Sequence, residues 1–332
     1  MKSLIYKGKE ELEFKDTKPP IIEKENEVVI DVKYAGICGS DITIWKGKHL
    51  RAKTGTILGH EFVGTVNKTS PNIKNLKNGD KVVVEPLFHC ETCDFCKEGQ
   101  YNLCNQIGLY GVDEDGGFAE QIKVPINKVF KVETDLEKMA LVEPIAVAVN
   151  AVNNSAIELN STVLIFGAGT IGLLIADIAQ ILGAGEVVIC EIDESRLEIA
   201  RSLGYKVFNP KNNLESNIEN KKFDLIFDAA GSPKIIELGL KFIKKSGQFN
   251  IVAIHKQNAK IDLQKIVYSE INIQGRFIYT HKDFKKAIQL IENGKINPEN
   301  YITKILSFKD IQEGFKLMER GKNNLKILVR VN

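Results

Sequence analysis

From Ser161 onward the apolar positions of the chain fall into short, nearly continuous runs separated by stretches of helical period. The runs 162–166, 186–191, 223–228, 247–254 and 271–278 are rich in β-branched and aromatic residues and predict buried strands. Residues 173–182, the stretch around Arg196 and residues 235–242 carry helical spacing between them. Strand and helix in alternation predict an α/β fold with a doubly wound parallel sheet. Before about residue 150 the chain reads as short strands closed by Gly, Pro and Asn turns, of which Asp80-Lys-Val-Val-Val-Glu-Pro86 is typical, and this predicts a β-rich lobe. Two helical stretches, 284–291 and 311–318, and a last strand, 326–331, follow the alternating region.

Two groups of metal-type residues interrupt the first lobe. Cys90-x2-Cys93-x2-Cys96-x7-Cys104 lies in a polar, loop-like segment of about residues 86–108. Four thiolates complete the coordination of Zn²⁺ and leave no position for water, so this set predicts a structural zinc that contributes folding energy. Two disulfides or four unligated thiols are the alternative. The second group is dispersed: Cys38 between Gly36 and Gly39 just past a predicted strand, His60-Glu61 beside an apolar run, and Glu143-Pro144 at the head of another. Taken alone, Cys38 is more often a small buried hydrophobe and His60 a satisfied core residue, while Glu143 is a charge that needs a partner. Together, three such ligands make an open site whose last position can take water or substrate.

The segment Thr162-Val-Leu-Ile-Phe-Gly-Ala-Gly-Thr-Ile-Gly172 runs from a strand through G-x-G-x-x-G into a helix. Gly167 permits the tight turn, Gly169 lets the backbone approach a pyrophosphate, and Gly172 lets helix pack on strand, while Thr170 and Ile171 open the helix that faces the phosphates. The next strand ends in Glu191, where a ribose-binding acid belongs. A carboxylate there favours NAD over NADP. Arg196 could pair with a 2′-phosphate, but its spacing predicts a solvent-facing place on the following helix.

Gly36-Ile-Cys-Gly-Ser-Asp41, Gly59-His-Glu61, the four-cysteine lobe, Gly116-Gly-Phe-Ala-Glu120, Glu143-Pro144 and the glycine fingerprint appear in that order. In this the chain resembles the medium-chain zinc-dependent alcohol dehydrogenases over essentially its whole length, and Glu143-Pro144 resembles the sorbitol, butanediol and polyol branch. The resemblance implies a discontinuous β-rich GroES-like catalytic domain, residues 1–150 and 279–332, around a Rossmann domain, residues 151–278. It implies two zincs and hydride transfer from a secondary alcohol to NAD, giving the ketone. Sugar-alcohol phosphates and threonine are alternative substrates. Cys38 and His60 would bind the catalytic zinc with Glu61 and Glu143, either glutamate being the direct ligand. Ser40 would accept the alcohol proton first, Thr43 standing where many relatives have the relay histidine, and Asp41 would orient His60. Gly231, Ala253 and Phe277 would border the nicotinamide. Asn150 and Ile278 replace a histidine and an arginine common in that branch.

The 332 residues exceed a single core, and 45 basic against 43 acidic side chains offer no field for nucleic acid or an anionic membrane. A zinc-dependent nucleic-acid binder would need a basic face, and a zinc-free quinone reductase would lack both ligand sets. The basic loop of Lys46, Lys48, His49, Arg51 and Lys53 reads as a solvated charge run before it reads as a phosphate site. The charged start of the chain does not resemble a signal peptide. The expectation is a cytoplasmic enzyme of small alcohols, a homodimer or homotetramer.

Overall fold

The computed structural model describes residues 1–211, 218 and 221–331. It comprises two compact units, residues 1–143 with 284–332, and residues 144–283.

The first unit opens with a hairpin, β1 (Lys2–Gly8) and β2 (Glu11–Asp16), followed by β3 (Glu27–Ile37), α1 (Gly39–Trp45) and β4 (Glu61–Thr69). Then come β5 (Lys81–Val84), β6 (Leu87–Phe88), α2 (Asp94–Lys97), β7 (Gly108–Leu109), β8 (Gln121–Pro125), β9 (Val129–Lys131) and α3 (Leu136–Met139). Helix α4 (Val142–Asn153) carries Glu143 in its first turn, and the boundary between the units falls directly after that residue.

In the second unit β10 (Thr162–Phe166), α5 (Thr170–Ile181), β11 (Glu186–Cys190), α6 (Glu194–Ser202), β12 (Lys206–Phe208) and β13 (Phe223–Asp228) alternate as expected. Next are α7 (Pro233–Phe242), β14 (Ile243–Ile251), α8 (Leu263–Ser269) and β15 (Asn272–Gly275). All six strands are parallel, in the order β12-β11-β10-β13-β14-β15, a doubly wound sheet. Leu164, Phe166, Phe223, Ile226 and Phe249 fill the core on one side of it. Two expected strands differ from the sequence reading. Strand β14 starts four residues before Gly247, through an irregularity opposite Asp224, and β15 stops at Gly275 because Ile278 turns into the left-handed region with φ 52°.

Helix α9 (His281–Glu292), β16 (Ile302–Ser307), α10 (Ile311–Arg320) and β17 (Lys326–Arg330) complete the chain. The catalytic-side sheet runs β16-β17-β3-β4-β5-β9, with β8 also on β3. Phe118 and Trp45 meet Phe315 edge-on at 6.0 Å ring separations, which packs α10 and α1 on this sheet. No described helix is long and apolar enough to cross a membrane.

Candidate metal centres and dinucleotide site

Strand β3 is central because it holds a neighbour on each side. On one, β4 pairs Gly36 with Glu61, which sets His60 and Glu61 beside the end of β3. On the other, β17 pairs Ile37 with Ile327, which sets Lys326 there as well. Gly36 is required at this crossing, since a side chain would collide with the Glu61 carboxylate. The ligand atoms of Cys38, His60 and Glu61 consequently lie within 4.8 Å of one another. Glu143 is outside that group, yet close enough for its charge to act on both His60 and Lys326.

The surroundings of this cluster are buried and charged. Asp41, fully buried, accepts from the Cys38 N–H at 2.8 Å and turns its other oxygen toward His60 Nδ1 at 3.8 Å. Both of those facing atoms are buried without a hydrogen-bond partner. Burial alone would push His60 down, but Asp41, Cys38 and Glu143 outweigh it and hold the imidazole well above its ordinary 6.5. Burial keeps Asp41 above the usual carboxylate value despite His60 beside it. Lys326 Nζ sits 2.7 and 2.5 Å from the two oxygens of Glu61. The sequence reading had placed Lys326 in the last strand without singling it out. A charge within an apolar strand calls for a partner, but only the pairing of β17 with β3 and of β3 with β4 identifies it as Glu61.

A thiol, an imidazole and a carboxylate that converge, with a histidine nitrogen and a carboxylate oxygen unsatisfied behind them, make up the donor chemistry of an open zinc site. Ser40 Oγ lies 3.5 Å from His60 Nε2. Thr43 donates its hydroxyl proton to the Gly39 carbonyl at 3.0 Å, so its oxygen is left as an acceptor. Asn150 is buried and donates to Asp283 at 2.9 Å, and Asp283 also accepts from the Thr280 N–H and hydroxyl. The residue that replaces a histidine thus ties α4 to the start of α9.

Cys90, Cys93, Cys96 and Cys104 also group within 4.8 Å, and all are unbridged. Their Sγ separations of 3.5 Å for Cys104–Cys90 and 3.9 Å for Cys90–Cys96 are far too long for a disulfide. A tetrahedron of Zn–S bonds of about 2.3 Å has an edge of about 3.8 Å, so the spacing fits zinc. Backbone N–H groups of Cys93 and Gln106 point at Cys90 and Cys104 sulfurs. Such donation, chiefly from Cys93, brings the Cys90 thiol down to about 6.

In the second unit Gly167 takes φ 104° at the turn, and a side chain on Gly172 would strike the Gly167 carbonyl. Gly169 caps α5, whose first residues are Thr170 and Ile171. Glu191 accepts from the N–H groups of Ala168 at 3.0 Å, Ile192 at 2.6 Å and Asp193 at 3.1 Å. Arg196 departs from the solvent-facing expectation. The Asp193 carboxylate caps α6 by accepting from the Arg196 backbone N–H, and the Arg196 side chain turns so that its guanidinium lies 3.9 Å from Glu191 and near Gly169. Gly231, at φ 72°, abuts Ala253, and Phe277 is 44% exposed beside the strained Ile278. Cys190 is buried, and burial pushes its thiol up out of the reactive range. Two members of the basic loop are engaged by carboxylates: Lys46 pairs with Glu10 and Glu319, and Arg51 with Asp113.

Fold and ligand sets together define a zinc- and nicotinamide-dependent oxidoreductase. Residues 24–134 match the alcohol dehydrogenase GroES-like domain, and residues 170–293 match the zinc-binding dehydrogenase family. A probable D-xylulose reductase A from Emericella nidulans is 31% identical, covering 98% of this chain and 95% of its own. Among solved structures, 2R,3R-butanediol dehydrogenase from Bacillus subtilis superposes with a TM-score of 0.93 at 30% identity, over 100% of this chain and 99% of that one. An alcohol dehydrogenase from Escherichia coli CFT073 complexed with NADH gives 0.94 at 28% identity, with 100% and 99% covered. The chain belongs to the medium-chain, zinc-dependent alcohol dehydrogenase family, oxidoreductases that act on CH–OH donors.

Proposed function

We propose that this protein oxidises a secondary hydroxyl of a polyol or vicinal diol to the ketone with NAD, and runs the reverse reduction of the corresponding ketose. The observation that carries this reading is the convergence of a half-buried Cys38 with the buried His60 and Glu61. The similarity to a D-xylulose reductase over nearly the whole chain supports the substrate class. Cys38, His60 and Glu61 would hold the catalytic zinc with Glu143 as a nearby exchangeable carboxylate, and the four cysteines would hold the structural one. When bound, the catalytic zinc supplies a Lewis acid that makes an alcohol hydroxyl more acidic. NAD, when bound, supplies the hydride acceptor.

The remaining work falls to side chains of the chain. Ser40, next to His60, accepts the hydroxyl proton by hydrogen bond and passes it to solvent, with the Thr43 oxygen available as the next acceptor. Asp41 holds Cys38 through its N–H and faces His60, which fixes both side chains in place. Lys326 offsets the charge of Glu61, so the site binds a neutral alcohol without a surplus of negative charge. Glu191 takes the adenosine ribose and disfavours a 2′-phosphate. A phosphorylated substrate is disfavoured because Lys46 and Arg51 are already engaged by carboxylates.

A homo-oligomer is part of the same proposal. Strand β15 ends the parallel sheet with one edge unpaired among the described residues, and Leu263, Val267 and Tyr268 stand exposed on the adjoining α8. The test of function is NAD reduction by zinc-loaded protein over xylitol, sorbitol, 2,3-butanediol, galactitol 1-phosphate and threonine, with NADP in parallel. Turnover confined to threonine or to the phosphate ester would overturn the polyol reading.

A further inference from the structure

At the carboxyl ends of β13 and β14 the structure builds a dyad that the mechanism above does not use. Asp228 is fully buried and its two carboxylate oxygens have three donors: Oδ1 accepts from the N–H groups of Ala230 and Gly231, both at 2.9 Å, and Oδ2 stands 2.5 Å from His255 Nε2. Its carbonyl accepts from the N–H groups of Val252 at 3.0 Å and Ala253 at 2.9 Å. One residue therefore closes the turn after β13 and anchors the segment after β14. In the tautomer that donates Nε2–H to the carboxylate, the other ring nitrogen, Nδ1, is an acceptor. The ring borders a cavity of about 440 Å³ together with Ile236, Ile251, Ala253 and Lys256.

Position says which ligand this edge serves. Dinucleotides lie across the carboxyl ends of a doubly wound sheet, with the pyrophosphate at the glycine turn. Glu191, at the end of β11, lies on one side of that turn and takes the adenosine half; β13 and β14 lie on the other. The Ala229 backbone and the Ala230 Cβ also lie 3.2–3.3 Å from where a side chain on Gly167 would be, so the dyad's turn packs against the phosphate turn.

We propose that His255, held by Asp228, is a positioning residue for the nicotinamide-ribose half of the cofactor, its Nδ1 accepting a hydrogen bond from a ribose hydroxyl or the carboxamide. This rests on the dinucleotide reading of the glycine turn.

The test compares wild type, His255→Ala and His255→Gln as zinc-loaded proteins, by fluorescence titration with NADH and calorimetry with AMP, which carries the adenosine half alone. His255→Ala should bind NADH about tenfold more weakly, bind AMP within twofold of wild type, and raise KM for NAD with kcat little changed. His255→Gln, which keeps a donor for Asp228, should recover most of the loss. NADH affinity unchanged in His255→Ala, or NADH and AMP weakened equally, would overturn the proposal, the second because it marks a general loosening of the unit. Should His255→Ala fail to fold, NADH binding in His255→Gln equal to or weaker than a tenfold loss, with AMP weakened in step, overturns it too. Failure of wild type to bind either nucleotide would sink the dinucleotide reading itself.

Discussion

Lys326 and Glu61 form a closed ion pair with Nζ 2.7 Å from Oε1 and 2.5 Å from Oε2, although 265 residues separate them. Both side chains are under 5% exposed. Lys326→Met should destabilise the protein by about 3–5 kcal/mol, because it strands a buried carboxylate, and Glu61→Gln with Lys326→Met should recover much of that. Burial alone would push the Lys326 ammonium below its ordinary 10.5, but Glu61, Cys38 and Glu143 outweigh it and hold it higher. A lysine raised in this way contributes fully below its unfolded value and loses the contribution only as pH climbs through the folded one, so the penalty should be flat from about pH 6 to 9. Denaturant unfolding of the metal-free variants at several pH values measures both. A single-variant loss below about 1 kcal/mol would show that water reaches the pair.

Ser40→Ala should lower kcat by about 10²-fold while leaving KM for the alcohol within a few-fold, as expected for a proton acceptor that works in the transition state. Steady-state kinetics with the best polyol decides it. An unchanged kcat would assign proton removal to solvent directly.

Removing the Glu191 carboxylate should move cofactor choice. Glu191→Ser leaves Arg196 near the glycine turn without its acidic neighbour, and the NADP-to-NAD ratio of kcat/KM should rise about tenfold or more, a difference of about 1.4 kcal/mol. If the ratio stays put while both cofactors weaken together, Glu191 is only a brace for the turn through Ala168.

Cys93→Ser should reduce bound zinc by half and open the segment 86–108 to protease, with Rossmann-unit nucleotide binding retained. Metal analysis and limited proteolysis read the two effects. Full zinc content in the variant would contradict the tetrathiolate assignment.

Ile278→Gly should cost the fold less than about 1 kcal/mol, or stabilise it. Relief of a left-handed β-branched residue, about 1–3 kcal/mol, offsets the extra freedom of glycine, about 0.5–1 kcal/mol. A thermal scan is sufficient. A larger loss would mean that the Ile278 side chain contributes packing beyond the strain it carries.

What the sequence made legible was local. The glycine turn, the four cysteines and the strand bearing Glu191 each sit in one continuous segment whose spacing dictates their geometry. Cys38 and His60 were also recoverable, because each directly borders a strand of evident period. Lys326 and the pairing of His255 with Asp228 were not, since both depend on strand neighbours that only the sheet order brings together. Arg196 was misjudged for a different reason: its place on a helix was readable, but the flexible side chain's turn toward Glu191 was not. Asn150 shows the same limit, as the missing histidine was visible and the Asp283 partner that accounts for the amide was not.

The four-cysteine segment contains only two strands of two residues, one four-residue helix and a three-residue 3-10 turn, so much of its shape derives from the sulfurs. Its completion is therefore a maturation event governed by metal supply. In a zinc-poor cell the chain would emerge with this loop unfinished and open to proteases. The abundance of the enzyme, and not only its activity, would then follow the cell's zinc status.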